Sequence, residues 1–173
     1  ENLLHTLEYN YRAERRICDL YSNAFYEGKL KTTDAVNAKK GHSLSFASSV
    51  VWYDTGKLQD KEDKQQGTGK INPCNVTIIK RVLSQLKDEM IQKNTSYDIG
   101  IIAPYKAQTE LLRNKLAIKK DFADYKIDIG TVDSFQGSDR DIIIYDCVRS
   151  SKLKQKAKID FIAEEKRLNV SLS

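Results

Sequence analysis

Residues 141–148 have the sequence DIIIYDCV, a nearly continuous apolar run. Such a run is typical of a central parallel strand that is covered on both faces. Shorter strands are predicted at Ile99–Ala103 and Lys126–Gly130, and helical patterns lie before and between these segments. Strands that alternate with helices of this length predict an α/β fold with a mainly parallel sheet.

A long helix is predicted from its start signal and its apolar spacing. Asn72 is a suitable N-cap, and Pro73 fits the first helical position because a missing N–H costs nothing there. The helix is expected to bury one stripe of apolar side chains at the helical period: Val76, Ile79, Val82, Leu83, Leu86 and Met90.

Three other segments are predicted from spacing and composition. Tyr11–Tyr26 predicts a helix that ends at Gly28, with one apolar face formed by Ile17, Leu20, Tyr21, Ala24 and Phe25. Phe46–Tyr53 is rich in β-branched and aromatic residues, which predicts a strand. Asp54–Ile71 is dense in Lys, Asp, Gln and Gly, which is typical of a solvated loop.

The composition limits the class of protein. The 173 residues include 29 Lys and Arg against 24 Asp and Glu, and the net charge of +5 permits an anionic partner without proving one. No apolar run approaches the roughly 20 residues that a membrane helix needs, which excludes a membrane span. Cys18, Cys74 and Cys147 form no CxxC pair and His5 lies far from His42, so we expect a reducing, intracellular location and no metal site.

Three polar segments follow the three predicted parallel strands. They are PYKAQ (104–108), TVDSFQGSDRD (131–141) and RSSKLKQKAK (149–158). Functional groups in such sheets lie on loops beyond the carboxyl ends of the strands, so we expect these segments to share one edge. Taken singly, each has a plainer explanation, namely a helix start, a turn and a solvated loop.

Four segments, in this order, resemble motifs of superfamily 1 helicases, in the group of the nonsense-mediated-decay helicase and senataxin. IIAPYKAQ (101–108) is similar to motif IV, TVDSFQGSDRDIIIYDCVRS (131–150) to motif V with its following strand, and KRLNVSLS (166–173) to the start of motif VI. LEYNYRAERRICDLYSNAFYEGKL (7–30) resembles the segment that opens the second RecA-like domain. The resemblance implies that residues 1–173 are this second, C-terminal domain, a three-layer RecA-like domain of the P-loop NTPase type, truncated near its C-terminus.

The resemblance also implies which residues contact ATP, which such helicases bind with Mg²⁺ between two RecA-like domains. Tyr11 matches the residue whose ring stacks on adenine. Arg12 and Arg167 match arginines that reach the γ-phosphate, and they are the catalytic candidates. Asp139 matches a residue that hydrogen-bonds the ribose, and Gln136–Gly137 forms the bend of its loop.

Each of these roles has a structural alternative. Tyr11 has the alternative of packing in the core beside Tyr9. For Arg12 the alternative is an ordinary surface position, since Arg15 and Arg16 lie on the same predicted helix. For Arg167 the alternative is a solvated position on the final amphipathic helix, which is predicted to begin near residue 163.

Single-stranded DNA or RNA is the second ligand that the resemblance implies. Thr131 is the best candidate for a phosphate contact, through its hydroxyl and backbone N–H, and Pro104, Tyr105 and Arg149 are weaker candidates. The loop beyond Arg149 adds salt-dependent affinity if its lysines are not simply solvated: Lys152, Lys154, Lys156 and Lys158. Helicases of this type move 5′→3′, a direction that rests on the resemblance alone.

The sequence departs from the family pattern at several positions. Asn75 stands where Glu is usual, and because that Glu would complete a capping box with Asn72, we expect a small stability cost. Ala103 stands where Thr is frequent, and Asp146 stands where a small polar residue is common. The chain stops at Ser173, before the second arginine and the closing strand of motif VI, so we expect the sheet to lack that strand.

The catalytic half of an NTPase is not found in the sequence. It contains no GxxxxGK(S/T) phosphate loop and no strand that ends in the Asp-Glu pair that holds Mg²⁺. Because both are obligatory for NTP hydrolysis in this class, we expect the chain alone to be inactive and a preceding RecA-like domain to supply them. The start at Glu1 rather than Met fits this expectation of a longer protein.

The leading hypothesis is therefore the C-terminal motor domain of an ATP-dependent helicase. Two alternatives stay open. One is a RecA-like module that binds nucleic acid or protein without catalysis, beside a degenerate first domain. The other is a free-standing small α/β nucleotide-binding domain, for which the chain offers no suitable glycine loop after its first strand.

Overall fold

A computed structural model describes residues 8–40, 44, 46, 48–150 and 169. The chain divides into two compact units, one that includes Glu1–Trp52 and Leu168–Ser173 and one of Tyr53–Arg167. Within the described residues, no helix is long and apolar enough to cross a bilayer.

The first unit is built on a short parallel strand pair and two helices. Strand β1 (Tyr9–Asn10) pairs in parallel with β2 (Lys31–Thr32). Helix α1 (Arg15–Phe25) connects them, and α2 (Asp34–Lys40) follows β2. The predicted helix therefore begins later than Tyr11, because the side chain of Glu14 caps α1 by accepting a hydrogen bond from the Ile17 N–H.

The buried face of α1 differs from the predicted one. Leu20 is exposed, whereas Cys18, Tyr21 and Ser22 are buried. The reason is a polar anchor, since the Ser22 hydroxyl donates to the Leu30 carbonyl at 2.8 Å and accepts from the Leu30 N–H at 3.1 Å. Burial also raises the pKa of the Tyr21 phenol, and a hydrogen bond with Cys18 adds to this shift.

The second unit contains a parallel sheet with helices. Its elements in chain order are β3 (Lys64–Gln66), β4 (Gly69–Ile71), α3 (Pro73–Lys93), β5 (Ile99–Ile102), α4 (Lys106–Lys115), α5 (Ile118–Asp121), β6 (Ile127–Gly130), α6 (Val132–Phe135) and β7 (Ile142–Tyr145). Strands β6, β5 and β7 form one sheet in that order, and both pairings are parallel. The prediction of an α/β fold with a mainly parallel sheet is confirmed.

The centre of the described sheet is β5 rather than β7. All residues of β5 are buried, as expected for a strand paired on both sides. Strand β7 flanks it, and the Ile143 side chain is 42% exposed. The continuous apolar run of residues 141–148 therefore does not mark a central strand among the described residues.

Helix α3 agrees with its predicted start and its predicted apolar stripe. Asn72 caps it by accepting from the Asn75 N–H at 3.3 Å, and Pro73 is its first residue. The predicted apolar stripe is buried throughout: Val76, Ile79, Val82, Leu83, Leu86 and Met90.

The strand predicted at Phe46–Tyr53 is wrong for the described residues of that segment, which form no strand. Val50, Val51 and Tyr53 are exposed, and Trp52 is 81% exposed. A composition that favours strands produces one only where a neighbouring strand supplies hydrogen bonds and a packing surface.

The loop predicted at Asp54–Ile71 contains a hairpin. Strands β3 and β4 pair in an antiparallel manner, with Gln66 opposite Gly69. Of the two residues that connect them, Gly67 has φ of +57°, which suits the first central position of a II′ turn. The GTGK segment thus belongs to a hairpin turn and strand, not to a phosphate loop before a helix.

Candidate nucleotide and nucleic-acid site

The loops after the parallel strands lie at one edge of the sheet, as predicted. In the register of the sheet, Ile102 lies opposite both Gly130 and Tyr145, so β5, β6 and β7 end together. Backbone hydrogen bonds continue one residue further, from Ala103 N–H to the Gly130 carbonyl at 3.0 Å and from Asp146 N–H to the Ile102 carbonyl at 2.8 Å. The parallel topology therefore brings to the same rim the first two polar segments and, of the third, its described residues Arg149 and Ser150.

The strand-binding candidates on this rim differ in accessibility. Pro104 is buried, whereas Tyr105 is half-buried and precedes α4 without forming a side-chain cap. Thr131 is half-buried and precedes α6, and its hydroxyl likewise makes no cap hydrogen bond. Tyr105 and Thr131 thus have the side chains best placed to meet a ligand, and Pro104 would contribute through its carbonyl.

Arg149 lies beside a buried carboxylate. Its Nε is 3.6 Å from Asp63 Oδ2, and the Asp63 side chain is only 1% exposed. Lys70 Nζ approaches the same oxygen at 3.4 Å, and the Ser150 N–H donates to Asp63 Oδ1 at 3.0 Å. Asp63 comes from the segment predicted to be a loop, and nothing in the local sequence indicated this pairing. With 26% of its side chain exposed, Arg149 reaches the surface while held near Asp63.

A buried polar network lies directly beneath the same rim. Asp146 Oδ2 accepts from Gln108 Nε2 at 2.7 Å, and Asp146 Oδ1 accepts from Asn75 Nδ2 at 2.6 Å and from the Val148 N–H at 2.8 Å. Gln108 Oε1 accepts from the Asn72 N–H at 2.8 Å. Asn72, Gln108 and Asp146 are all buried, so the hydrogen bonds among these three residues are shielded from water.

Burial in this network shifts the pKa values of two side chains in the segment after β7, those of Asp146 and Cys147. Burial raises the pKa of the Asp146 carboxyl above its ordinary value, although the hydrogen bonds from Asn75, Gln108 and the Val148 N–H act in the opposite direction. Burial and the neighbouring charge of Asp146 also raise the pKa of the Cys147 thiol. A thiol in this position is therefore a poor nucleophile.

The network contains two of the residues that depart from the family pattern. Asn75 and Asp146 contact each other, so the residues that differ at these positions form one pair. The Asn72 N–H, which a capping-box Glu would satisfy, donates to Gln108 instead. The stability cost expected from Asn75 is therefore offset by a hydrogen bond from a different helix.

The adenine and phosphate candidates Tyr11 and Arg12 lie in a turn between β1 and α1. Asn10 is buried and holds this turn: its Oδ1 accepts from the Arg12 N–H at 2.9 Å and the Ala13 N–H at 3.3 Å. Its Nδ2 donates to the Ala13 carbonyl at 2.7 Å and to Thr32 Oγ1 at 3.1 Å. Sequence reasoning missed Asn10, although an Asn just before a short polar turn is a known signal.

The exposure of these residues excludes the core alternative for Tyr11 and leaves the surface alternative for Arg12 open. Tyr11 is 73% exposed, so the alternative of core packing beside Tyr9 is wrong. Arg12 precedes α1 and is exposed, so it does not share that helix with Arg15 and Arg16. Both side chains project from a fixed turn, which is a suitable arrangement for stacking and for a phosphate contact.

The ribose candidate Asp139 lies on an exposed loop after α6, together with Gln136 and Gly137. Gly137 has φ of +79°, which a glycine adopts without strain. Arg140 anchors the loop, because its Nη2 donates to Asp128 Oδ2 at 2.7 Å and its guanidinium lies 5.6 Å from the centre of the Phe135 ring. Arg140, like Asn10, is a residue that holds a candidate loop in place and that the sequence did not indicate.

Two sets of candidates lie outside the described residues. Arg167 is one, and the lysines of residues 152–158 are the other. Tyr11 and Arg12 belong to the first unit, whereas Gln136, Gly137 and Asp139 belong to the second.

Among the described residues, some side chains suit a nucleotide base and its phosphate, but no cluster of side chains suits the accompanying Mg²⁺. An exposed aromatic ring and an adjacent guanidinium match the chemistry of adenine and a terminal phosphate. Over residues 8–150, as far as they are described, no three His, Cys, Asp or Glu side chains come together as metal ligands.

Comparison with known proteins places the chain in a family. Its sequence matches the AAA domain family over residues 1–173. It is 29% identical to the DNA polymerase alpha-associated DNA helicase A of Saccharomyces cerevisiae, over 99% of this chain and 26% of that protein. It is 30% identical to the DNA-binding protein SMUBP-2 of Rattus norvegicus, over 99% of this chain and 17% of that protein.

A third relative is the probable helicase senataxin of Homo sapiens, which is 31% identical over 96% of this chain and 6% of that protein. The chain thus spans about a quarter or less of the length of these relatives. The four sequence motifs, the parallel sheet and the matches to named helicases all indicate the same family. The chain belongs to the AAA domain family, in the superfamily 1 helicase group of the senataxin type.

Proposed function

We propose that this chain is the C-terminal motor domain of an ATP-dependent superfamily 1 helicase that moves 5′→3′ along single-stranded DNA or RNA. The observation that carries the proposal is the exposed Tyr11–Arg12 pair on a turn fixed by buried Asn10. The order of the motifs and the named helicases among the relatives support it. Because the chain spans only part of those proteins, the activity belongs to a longer protein.

The proposal assigns the nucleotide contacts residue by residue. Tyr11 stacks on adenine, an interaction worth about 1–3 kcal/mol by analogy with stacked bases in nucleic-acid complexes. Arg12 and Arg167 contact the γ-phosphate, where a planar, permanently charged guanidinium follows the charge that develops on the phosphoryl oxygens. Asp139 accepts a hydrogen bond from the ribose, and the bend at Gln136–Gly137 presents it.

A preceding RecA-like domain is the partner in this proposal. It would supply the phosphate loop and the residues that hold Mg²⁺, and the metal would contribute positive charge to phosphoryl transfer. The present chain adds the second wall of the site. Residues 1–173 alone are therefore expected to hydrolyse no ATP and unwind no duplex.

The strand contacts in the proposal are of the kind that position a backbone without reading sequence. Thr131 donates to a phosphate through its hydroxyl or N–H, Tyr105 offers a ring and a hydroxyl, and Pro104 offers its carbonyl. Arg149 supplies a cationic contact that weakens as salt rises. Such contacts tolerate both DNA and RNA, since discrimination requires a hydrogen bond to the 2′-hydroxyl.

The direct test is ATP hydrolysis by the full-length protein, with and without single-stranded DNA and RNA, beside residues 1–173 alone. We expect hydrolysis by the full-length protein that rises when a strand is added, and none by the isolated chain. Strand binding without hydrolysis by the full-length protein would favour the non-catalytic module. Hydrolysis by residues 1–173 would contradict the assignment of the phosphate loop to another domain.

A further inference from the structure

The backbone turn at Val148 is strained. Val148 is fully buried and has φ of +63°, a conformation that β-branched residues very rarely adopt. The Arg149 N–H donates to the Cys147 carbonyl at 2.6 Å, which closes a tight three-residue turn around Val148. Such strain costs on the order of 1–3 kcal/mol and persists only where surrounding contacts determine the conformation.

Two side chains hold this turn from opposite sides. Asp146 Oδ1 accepts from the Val148 N–H at 2.8 Å, and Asn72 Nδ2 donates to the Val148 carbonyl at 2.9 Å. Asn72 Nδ2 also lies 3.2 Å from Ser150 Oγ. Both backbone polar groups of Val148 are thus satisfied by side chains rather than by a neighbouring strand, so their loss would leave buried groups without partners.

The same side chains connect the turn to the loop after β5. Gln108 donates to Asp146 Oδ2 at 2.7 Å and accepts from the Asn72 N–H at 2.8 Å. Gln108 lies in the first turn of α4, close in sequence to the strand-binding candidate Tyr105. The network therefore joins the loop after β5 to the segment after β7.

The turn determines where the next residues point. Immediately after it, the Ser150 N–H donates to Asp63 Oδ1 at 3.0 Å, and Arg149 Nε lies 3.6 Å from Asp63 Oδ2. A relaxed Val148 backbone would redirect both residues. We infer that Asp146, Asn72 and Gln108 are positioning residues that hold the Val148 turn and so present the Arg149 guanidinium to a strand phosphate.

This inference rests on the proposed function, since it requires that Arg149 contact nucleic acid. The test is a double-mutant cycle on the full-length protein, with a fluorescent single-stranded oligonucleotide titrated at several salt concentrations. Arg149→Ala should weaken binding by roughly tenfold and lower the salt slope by about one. Asp146→Ala should do the same, and the double variant should bind no more weakly than either single variant.

Matched controls separate positioning from general damage. Asp146→Asn keeps an oxygen for the Val148 N–H but turns its amide NH2 toward the donating amide of Gln108, so its strand affinity should lie between those of the unmodified protein and Asp146→Ala. Leu86→Ala removes a buried side chain of α3 and should lower thermal stability without changing the salt slope. Additive losses in the cycle, an unchanged affinity in Arg149→Ala, or a salt slope altered by Leu86→Ala would each overturn the inference.

A second measurement needs no variant and covers the case in which Asp146→Ala does not fold. Hydrogen exchange of the unmodified full-length protein should show peptides that span Cys147–Ser150 protected as well as those of β5. Exchange as fast as that of the exposed segment at Val50–Tyr53 would overturn the inference. If the full-length protein bound no strand at all, the proposed function itself would fail. If it bound a strand but the losses in the double-mutant cycle were additive, only the inference about the turn would fail.

Discussion

Replacing Arg167 with alanine in the full-length protein is expected to reduce the kcat for ATP hydrolysis by about a thousandfold or more, while single-strand affinity changes little. An arginine at the γ-phosphate acts mainly on charge that develops in the transition state, and such residues are worth roughly 10³–10⁵ in rate. The strand contacts are assigned to other residues, so binding should persist. Steady-state hydrolysis and oligonucleotide titration measure the two effects separately.

Two comparison variants sharpen this experiment. Arg167→Lys keeps a positive charge but loses the planar fork of donors, so its rate should fall between those of the unmodified protein and Arg167→Ala. Arg16→Ala removes an exposed arginine of α1 that has no assigned role, and its rate should stay unchanged. Unaltered turnover in Arg167→Ala, or an equal loss in Arg16→Ala, would reject the assignment.

The second large effect is expected from Gly100→Ala in the buried centre of β5. A Cβ at this position would lie 2.7 Å from Phe135 Cε1 and 2.8 Å from Ile143 Cδ1, closer than side chains can pack. Relief requires both the Phe135 ring and the Ile143 side chain to move, so we expect a loss of about 2–3 kcal/mol in the free energy of unfolding. Urea denaturation of residues 1–173 measures this loss.

Gly56→Ala is the matched glycine control. Its Cβ would meet chiefly the carboxylate of Asp54, at 2.9 Å, on an exposed segment where that side chain can rotate. We expect a change of less than about 1 kcal/mol. Comparable losses in Gly100→Ala and Gly56→Ala would show that the Phe135 packing does not constrain β5.

The parts of the fold that sequence predicted are those encoded by neighbouring residues. Helix α3 has its N-cap, its first-position proline and its apolar stripe within a single stretch, and all are observed. Strand β5 was located from the short apolar run at Ile99–Ala103, and β6 from the short segment at Lys126–Gly130. By contrast, Phe46–Tyr53 has strand-like composition, but strand formation also depends on a partner that composition does not reveal.

The candidate site was predictable only in outline. A parallel sheet brings its loops to one edge, so PYKAQ, TVDSFQGSDRD and RSSKLKQKAK were expected together, and the rim of β5, β6 and β7 confirms this for the described residues. The supporting polar contacts were missed. Asn72, Gln108 and Asp146 are far apart in sequence, and hydrogen bonds between distant polar side chains leave no periodic signal.

The proposed role of this chain is to supply the adenine and γ-phosphate contacts of a nucleotide that it binds together with a neighbouring domain. Photolabelling of the full-length protein with 8-azido-ATP, followed by peptide mapping, tests it most directly. We expect label on the turn that contains Tyr11, removed by excess ATP and lost in a Tyr11→Ala variant. Label competed by ATP but confined to other segments, and undiminished in Tyr11→Ala, would contradict it.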